Sequence, residues 1–153
     1  MANFSKSYLS LKRILDVLIS LVALAFLLPL LILTAVGIFL YDRHHVIFYQ
    51  NRVGLNGNLF KLYKFRSMVV NAEKIGGHST LDNDSRITPI GRLIRKSSID
   101  EVPQLINVLK GEMSLVGPRP DLLKQKDEYS DEEWLKRLSV KPGITGLAQA
   151  TLR

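Results

Sequence analysis

Ser98-Ile-Asp100-Glu101-Val-Pro103-Gln-Leu-Ile-Asn-Val-Leu-Lys110-Gly111 sets how the rest of the chain is read. Two adjacent carboxylates stand where a helix is expected to begin. Val102, Leu105, Ile106 and Leu109 follow at i, i+3, i+4, i+7 spacing. A helix is therefore predicted from about Glu101 to Lys110, with Gly111 as its stop. Asp100 suits the cap of that helix, Pro103 then falls in the first turn, and Ser98-x-x-Glu101 matches a capping box. Both acids also suit a helix N-terminus through its dipole. On local pattern alone, a structural role accounts for the pair.

The flanks add something a cap does not need. Thr88-Pro89 predicts a helix start, with Thr88 as cap and Pro89 first in the helix. Ile90, Leu93 and Ile94 form its expected buried stripe, and Arg92, Arg95 and Lys96 leave a basic end beside the acids. Downstream, Gly117-Pro-Arg119-Pro120 holds an arginine between prolines. A carboxylate that attacks a phosphate must be ionised at pH 7, which neighbouring cations favour by lowering its pKa. The phosphate's own charge must be neutralised by Arg forks or a divalent metal. The attacking and leaving oxygens must lie roughly in line. Asp100 with Arg95, Arg119 and a bound Mg²⁺ can meet all three needs. Glu101 would help hold the metal, since an all-oxygen site is typical of Mg²⁺.

The bulk numbers agree with an anionic ligand at a membrane. The 153 residues carry 21 Lys and Arg against 14 Asp and Glu, a net charge of +7. There is no cysteine, which excludes disulfides and thiolate metal sites, and the three His residues make no zinc pattern. Val17 to Leu40 is 24 residues without charge, seventeen of them Leu, Ile, Val or Phe. As a helix it is about 36 Å long, enough for a hydrocarbon core of about 30 Å. Insertion gains on the order of 5 to 10 kcal/mol as an upper bound. That outweighs the cost of about 3 kcal/mol for Pro29 inside the helix. The run is longer than the core of a signal peptide, and no small-x-small cleavage site follows it.

Two courses through the membrane fit. A straight span puts the ends on opposite sides; a re-entrant helix, broken at Pro29, returns both to one side. Lys6, Lys12 and Arg13 precede the run, and Arg43, Arg52, Lys61, Lys64 and Arg66 follow it. Basic flanks favour the cytoplasm, and both flanks are basic. Pro29 removes the donor that would bond the Ala25 carbonyl. These features fit the re-entrant form, while an ordinary kinked span stays open because proline is tolerated in membrane helices.

Beyond the membrane run, Val46-Ile-Phe-Tyr-Gln-Asn51 and Leu59-Phe-Lys-Leu-Tyr-Lys-Phe65 predict a β-hairpin around a loop containing Gly54 and Gly57. Gln50, Arg52, Lys64 and Arg66 ride on it, as solvated strand charges or as ligands of an anion. Asn71 to Arg86 reads as a polar loop, where Asp82 and Asp84 lack a wider metal-ligand pattern. Asp121 is the expected cap of a polar helix. Ser130-Asp-Glu-Glu133 is a capping box for another, in which Trp134, Leu135 and Leu138 can pack. Trp134 suits either that packing or a membrane interface. Lys141-Pro-Gly143-Ile-Thr-Gly146 reads as a compact turn.

The chain resembles the bacterial sugar transferases, the monotopic polyprenyl-phosphate phosphoglycosyltransferases. The matching stretches are Lys12-Arg-Ile-Leu-Asp16, the apolar helix with Pro29, Phe48 to Gly54, Lys64-Phe-Arg-Ser-Met68, Ser98 to Pro120, and Lys141 to Gln149. The resemblance implies that a UDP-sugar gives its sugar-1-phosphate to undecaprenyl phosphate and that UMP is released. It implies that Asp100 is the nucleophile of a covalent phosphoglycosyl intermediate, that Glu101 completes the dyad, and that Mg²⁺ is the cofactor, held by Asp100 and Glu101. Arg95, Arg119 and Arg153 match basic residues near the phosphates, with Lys64, Arg66, Gln50 and Arg52 as further candidates for substrate or phosphate binding. It also implies a re-entrant membrane helix.

Three departures stand out. Leu28 occupies a place often held by Ser, Thr151-Leu152 replaces an Asn-Gly pair, and members of the family run several tens of residues further. The expectation is therefore an α+β, mainly helical protein in two parts. Residues 1–41 form the basic flank and re-entrant membrane helix. Residues 42–153 form a cytosolic catalytic domain, C-terminally truncated relative to the family, with helices at the membrane interface. The expected place is the bacterial inner membrane, with the catalytic domain facing the cytoplasm and membrane lipid as a partner. The competing class is a non-catalytic, basic membrane-bound module that scaffolds glycan enzymes. Nucleic acid is not an expected partner, because Lys and Arg are scattered and no nucleic-acid motif is present.

Overall fold

In a computed structural model, which describes residues 6–76 and 84–146, the longest element is also the most apolar. Helix α1 (Lys6–Asp42) contains Pro29 and is helical on both sides of it, within a single element. Among the described residues it is the one helix long and apolar enough to cross a membrane. Val22, Phe26, Leu33 and Leu40 are exposed along it, as an acyl-chain environment would require. Strand β1 (Ile47–Val53) pairs with β2 (Leu59–Phe65) across a short 3₁₀ turn, Leu55–Gly57. The predicted hairpin is present, two residues longer at the end of its first strand.

After the hairpin come α2 (Ala72–Ile75), α3 (Pro89–Lys96), a 3₁₀ turn (Ile99–Glu101) and α4 (Gln104–Lys110). Then follow β3 (Ser114–Val116), a 3₁₀ segment (Leu123–Glu128), α5 (Asp131–Leu138) and β4 (Gly143–Thr145). The chain is thus α+β and mainly helical. It divides into two compact units. One takes residues 1–26, 49–63 and 104–153; the other takes 27–48 and 64–103. Each unit takes part of α1.

In the first unit, Phe60, Leu62, Val108 and Met113 form the core, with Leu115 and Ile144 packed against it. Asn107 is fully buried there. Its Nδ2 donates to the Lys61 carbonyl and to Glu112 Oε2, each at 2.7 Å, and its Oδ1 accepts from the Tyr63 amide at 3.1 Å. A buried amide with its capacity filled fixes register as well as contributing stability. Arg13 donates to the carbonyls of Val108 and Leu109, at 2.5 and 2.9 Å, and so ties α1 to the open end of α4. Gly111 stops α4 at φ +85°, as its position predicted. The segment read as a turn, Lys141 to Gly146, instead contains β4, which runs parallel to β3 with Ser114 opposite Gly143. A Cβ on Gly143 would lie 2.1 Å from the Gly117 amide nitrogen, so this close approach leaves no room for a side chain.

In the second unit, Ile38, Phe65 and Ile94 form the core, with Leu31, Ala35, Val46, Ile90 and Ile99 against it. Thr88 caps α3 as expected, accepting from the Gly91 amide at 2.9 Å. Leu93, however, is exposed: Ile94 takes the central place and Ile90 supports it.

Other expectations need correction. The helix predicted from Glu101 to Lys110 begins only at Gln104, after the 3₁₀ turn. A 3₁₀ turn advances more per residue than an α-helix, which rotates the later face. Val108 and Asn107 are therefore buried, and Ile106 is exposed. Asp121 does not cap the segment after it. Its carboxylate accepts from Arg137 at 2.8 Å and from the Tyr129 hydroxyl, and its carbonyl accepts from the Val53 amide. The Ser130 capping box forms as read, with Glu133 Oε2 accepting from the Ser130 amide at 3.0 Å. Trp134 is buried beside Tyr129, while Leu135 is exposed. The polar loop after Asn71 holds α2, and Asp84 is paired with Arg86 at 2.6 Å; Asp82 lies outside the described residues.

Candidate active site

Helix α3 delivers the chain to the acid pair. It is started by Thr88, held by Ile94 and finished at Lys96. Ser98 then adopts the left-handed conformation, φ 56°, and turns the backbone into Ile99–Glu101. Such a conformation costs about 1 kcal/mol or more in a residue other than glycine, and it is found most often where geometry matters for function. Ile99 anchors the turn in the core of its unit. Ser98 makes no side-chain cap to this turn, so the capping box expected from Ser98 and Glu101 does not form.

Asp100 is buried, at 8 % exposure. Among the described residues no side chain donates a hydrogen bond to its carboxylate; its own amide is the donor nearby. The expectation of a lowered pKa is overturned. Burial pushes the Asp100 carboxyl up, and the Glu101 charge adds to that. The positive charges of Lys64 and Arg95 pull it back only in part. Glu101 is held by Lys64 of β2, whose Nζ donates to Oε1 at 2.7 Å. The turn thus carries a buried, weakly bonded carboxylate next to a paired one, under two cations. That is chemistry for a nucleophile more than for a cap.

Gln50, Arg52 and Arg119 belong to the other unit. Arg52 donates to Gln50 Oε1 at 2.8 Å and to the Pro120 carbonyl at 3.1 Å. Arg52, Leu62, Gln104, Arg119, Pro120 and Gly143 line a small hollow. The backbone on either side of Arg119 is pinned to the last strand. The Gly143 amide donates to Pro118, and the Gly117 amide to Thr145. Arg119 is exposed while its carbonyl accepts from Arg137.

Arg66 is engaged at the end of α1. Its guanidinium grips both Asp42 oxygens, at 2.5 and 2.6 Å, and the His45 carbonyl, at 2.6 Å, closing the end of α1 onto the hairpin. Arg153 lies outside the described residues. Among the described residues no group of three His, Asp or Glu is placed to hold a metal. Mg²⁺ usually takes one or two carboxylates and completes its shell with water and substrate phosphate. The adjacent Asp100 and Glu101 fit that pattern as hard oxygen donors.

Residue spacing did not assign partners to Lys12, Asp16, Ser114 or Asn107. Asp16, nearly buried, accepts from the Ser114 hydroxyl at 2.8 Å and from the Leu115 amide at 3.3 Å. Lys12 pairs with Asp16 at 3.2 Å and also bonds Ser114. The usable signal was an acid four residues after a lysine, at the mouth of an apolar run, where an unpartnered charge would be costly.

The sequence of the chain matches a known family. The family model described as bacterial sugar transferase matches residues 7–153, and the chain belongs to that family. It is 45 % identical to a UDP-N-acetylgalactosamine-undecaprenyl-phosphate N-acetylgalactosaminephosphotransferase of Aeromonas hydrophila, over 95 % of the chain and 35 % of that protein. It is 44 % identical to a putative undecaprenyl-phosphate N-acetylgalactosaminyl 1-phosphate transferase of Bacillus subtilis, over 82 % of the chain and 70 % of that protein. It is 43 % identical to a UDP-glucose:undecaprenyl-phosphate glucose-1-phosphate transferase of Caulobacter vibrioides, over 90 % of the chain and 52 % of that protein. The chain thus spans between about a third and two thirds of the length of these relatives.

Proposed function

We propose that the chain is the catalytic part of a phosphoglycosyltransferase. In this reading it moves sugar-1-phosphate from a UDP-sugar to undecaprenyl phosphate, the first membrane step of a surface glycan, exopolysaccharide or glycoprotein glycan. The observation that carries the proposal is the Asp100 carboxylate: buried, given no side-chain hydrogen bond among the described residues, and acted on by the charges of Lys64 and Arg95. The named activities of the relatives support the substrate classes.

An Asp100 oxygen attacks the β-phosphorus of the donor. The bond from that phosphorus to the bridging oxygen breaks, and UMP leaves with the electron pair. The result is a sugar-phosphoryl ester of Asp100. A phosphate oxygen of undecaprenyl phosphate then attacks the same phosphorus, the Asp100 carboxylate leaves, and undecaprenyl-diphosphate sugar is formed. Lys64 and Arg95 neutralise charge on the transferring phosphoryl group. Burial keeps Asp100 poorly hydrated, so little water has to be stripped from it before attack. Asp100 and Glu101 would hold Mg²⁺, which supplies charge neutralisation on the diphosphate when bound. Arg52 and Arg119 offer donors to an anion in the hollow of their own unit.

The same reading places α1 as a re-entrant helix in the inner membrane, with the catalytic part facing the cytoplasm. Near its start, Lys12, Arg13 and Asp16 bond to residues 108–115; at its end, Asp42 bonds to Arg66. Both sets of partners follow α1 in the chain, and among the described residues no second helix could carry the chain back across. Basic flanks on both sides of the apolar run and Pro29 near its middle support the re-entrant course. Exposed Leu93 and Leu135 support helices lying at the membrane interface.

The test is direct. The detergent-solubilised chain, alone and extended to the length of its relatives, is given Mg²⁺, undecaprenyl phosphate and a panel of UDP-sugars. UMP should be released, and without acceptor the peptide containing Asp100 should gain the mass of one sugar phosphate. Absence of UMP across the panel from both forms would reject the reaction. UMP without an Asp100 adduct under quench conditions would reject the covalent route.

A further inference from the structure

A second cationic site stands at the start of α1 and plays no part in the transfer reaction described above. Lys141 precedes β4 and is half-buried. Among the described residues its ammonium has no hydrogen-bond acceptor, and the charges that act on it are Arg13, Lys12 and Asp16. Arg13 and Lys12 repel it; Asp16 attracts it but is already engaged by Lys12, Ser114 and Leu115. Burial and the two cations hold the Lys141 ammonium below its ordinary pKa range, which marks a site short of negative charge.

The geometry brings a second cation to the same place. Gly111, at φ +85°, has no side chain, and a Cβ placed there would lie 3.5 Å from Arg13 Nη2 and 3.7 Å from Lys141 Nζ. Two donors from distant parts of the chain thus converge beside Gly111. Arg13 is fixed in place by the Val108 and Leu109 carbonyls, so little ordering remains to be done on binding. A tetrahedral oxyanion can accept from both groups at once.

We propose that Lys141 and Arg13, converging beside Gly111, form a binding site for the phosphate of an anionic bilayer lipid. A lipid is favoured over a free phosphate by position. Arg13 stands four residues before the uncharged run from Val17, and Ile14, Leu15 and Leu18 beside it are exposed apolar side chains. That is headgroup depth for a chain entering a membrane, where acyl chains would cover those residues and the phosphate would meet the cations. The local balance of three cations against one carboxylate favours an anionic lipid over a zwitterionic one.

The experiment counts bound lipid. The whole chain in a neutral detergent is titrated with phosphatidylglycerol, and retained lipid is measured by native mass spectrometry. The wild type should retain one phosphatidylglycerol in preference to phosphatidylcholine. Lys141→Gln should lower its apparent affinity about fivefold, the usual worth of one basic residue near an anionic surface. Lys141→Arg should restore it. Equal retention in Lys141→Gln, with an unchanged circular dichroism spectrum, would overturn the site. Two competition arms use the unaltered chain, so the test stands whichever variant folds. Displacement by millimolar inorganic phosphate would assign the site to a free anion and overturn the lipid. Displacement by undecaprenyl phosphate at a tenth of the phosphatidylglycerol concentration would assign it to the acceptor, and likewise overturn it.

Discussion

A carboxylate that attacks phosphorus works best when it is charged but poorly hydrated, and in the proposed reaction Asp100 has to reconcile those demands inside a fold. Burial raises its pKa and the neighbouring Glu101 raises it further, while Lys64 and Arg95 work the other way. Because the folded-state pKa is raised, the native state binds this proton more tightly than the unfolded chain does. The stability linked to the group is then present below the unfolded value of about 3.9 and is lost as pH rises through the folded value. At pH 7 the charged side chain burdens the fold. Asp100→Asn should therefore remove transfer activity, by about a thousandfold or more, and yet raise the melting temperature at pH 7. The gain should vanish toward pH 4. A melting temperature that falls at pH 7 would contradict the burial argument, whatever the activity.

Lys64 gives a second check at the same scale. Its charge lowers the Asp100 pKa, so Lys64→Gln should move the acid limb of the kcat/KM profile to higher pH. Activity should fall more at pH 6 than at pH 8. A loss uniform across pH would mean that Lys64 serves only to hold Glu101 in place.

Among the elements, what could be read from the sequence was what is decided locally. Thr88 and Ser130 cap helices within three residues of themselves, and the hairpin follows from two strand-like runs around a glycine loop. Such signals need only neighbours in the chain. The pairing of β3 with β4 joins two three-residue strands through a long intervening segment, and no periodicity fits into three residues. The face of α4 was misjudged for a related reason: the 3₁₀ turn at Ile99–Glu101 shifts its phase. The acids at 100 and 101 were legible as a pair, whereas the burial of one and the pairing of the other depend on β2 and α3. Asn107 shows what this non-local order is worth. Asn107→Leu, of similar size, would leave the Lys61 carbonyl, the Tyr63 amide and the Glu112 carboxylate short of a partner. It should cost about 2 to 4 kcal/mol in urea unfolding. A loss under 0.5 kcal/mol would show that water replaces all three bonds.

At the scale of the whole molecule, the question is how α1 meets the bilayer. By length alone it is a spanning helix, with Pro29 as a tolerated kink. The basic flanks on both sides of it favour the re-entrant course. Arg13 gives two hydrogen bonds to α4, and Asp42 takes two from Arg66; α4 and Arg66 both follow α1 in the chain. The chain has no cysteine, so Ser5→Cys and His45→Cys each introduce a single thiol. In sealed inner-membrane vesicles of known orientation, a membrane-impermeant maleimide should reach both sites from the same, cytoplasmic face. Pro29→Leu restores the missing donor to the Ala25 carbonyl, and it should shift part of the Ser5→Cys population to labelling from the opposite face. Labelling of the two unmodified-helix variants from opposite faces would show that α1 spans and overturn the re-entrant course.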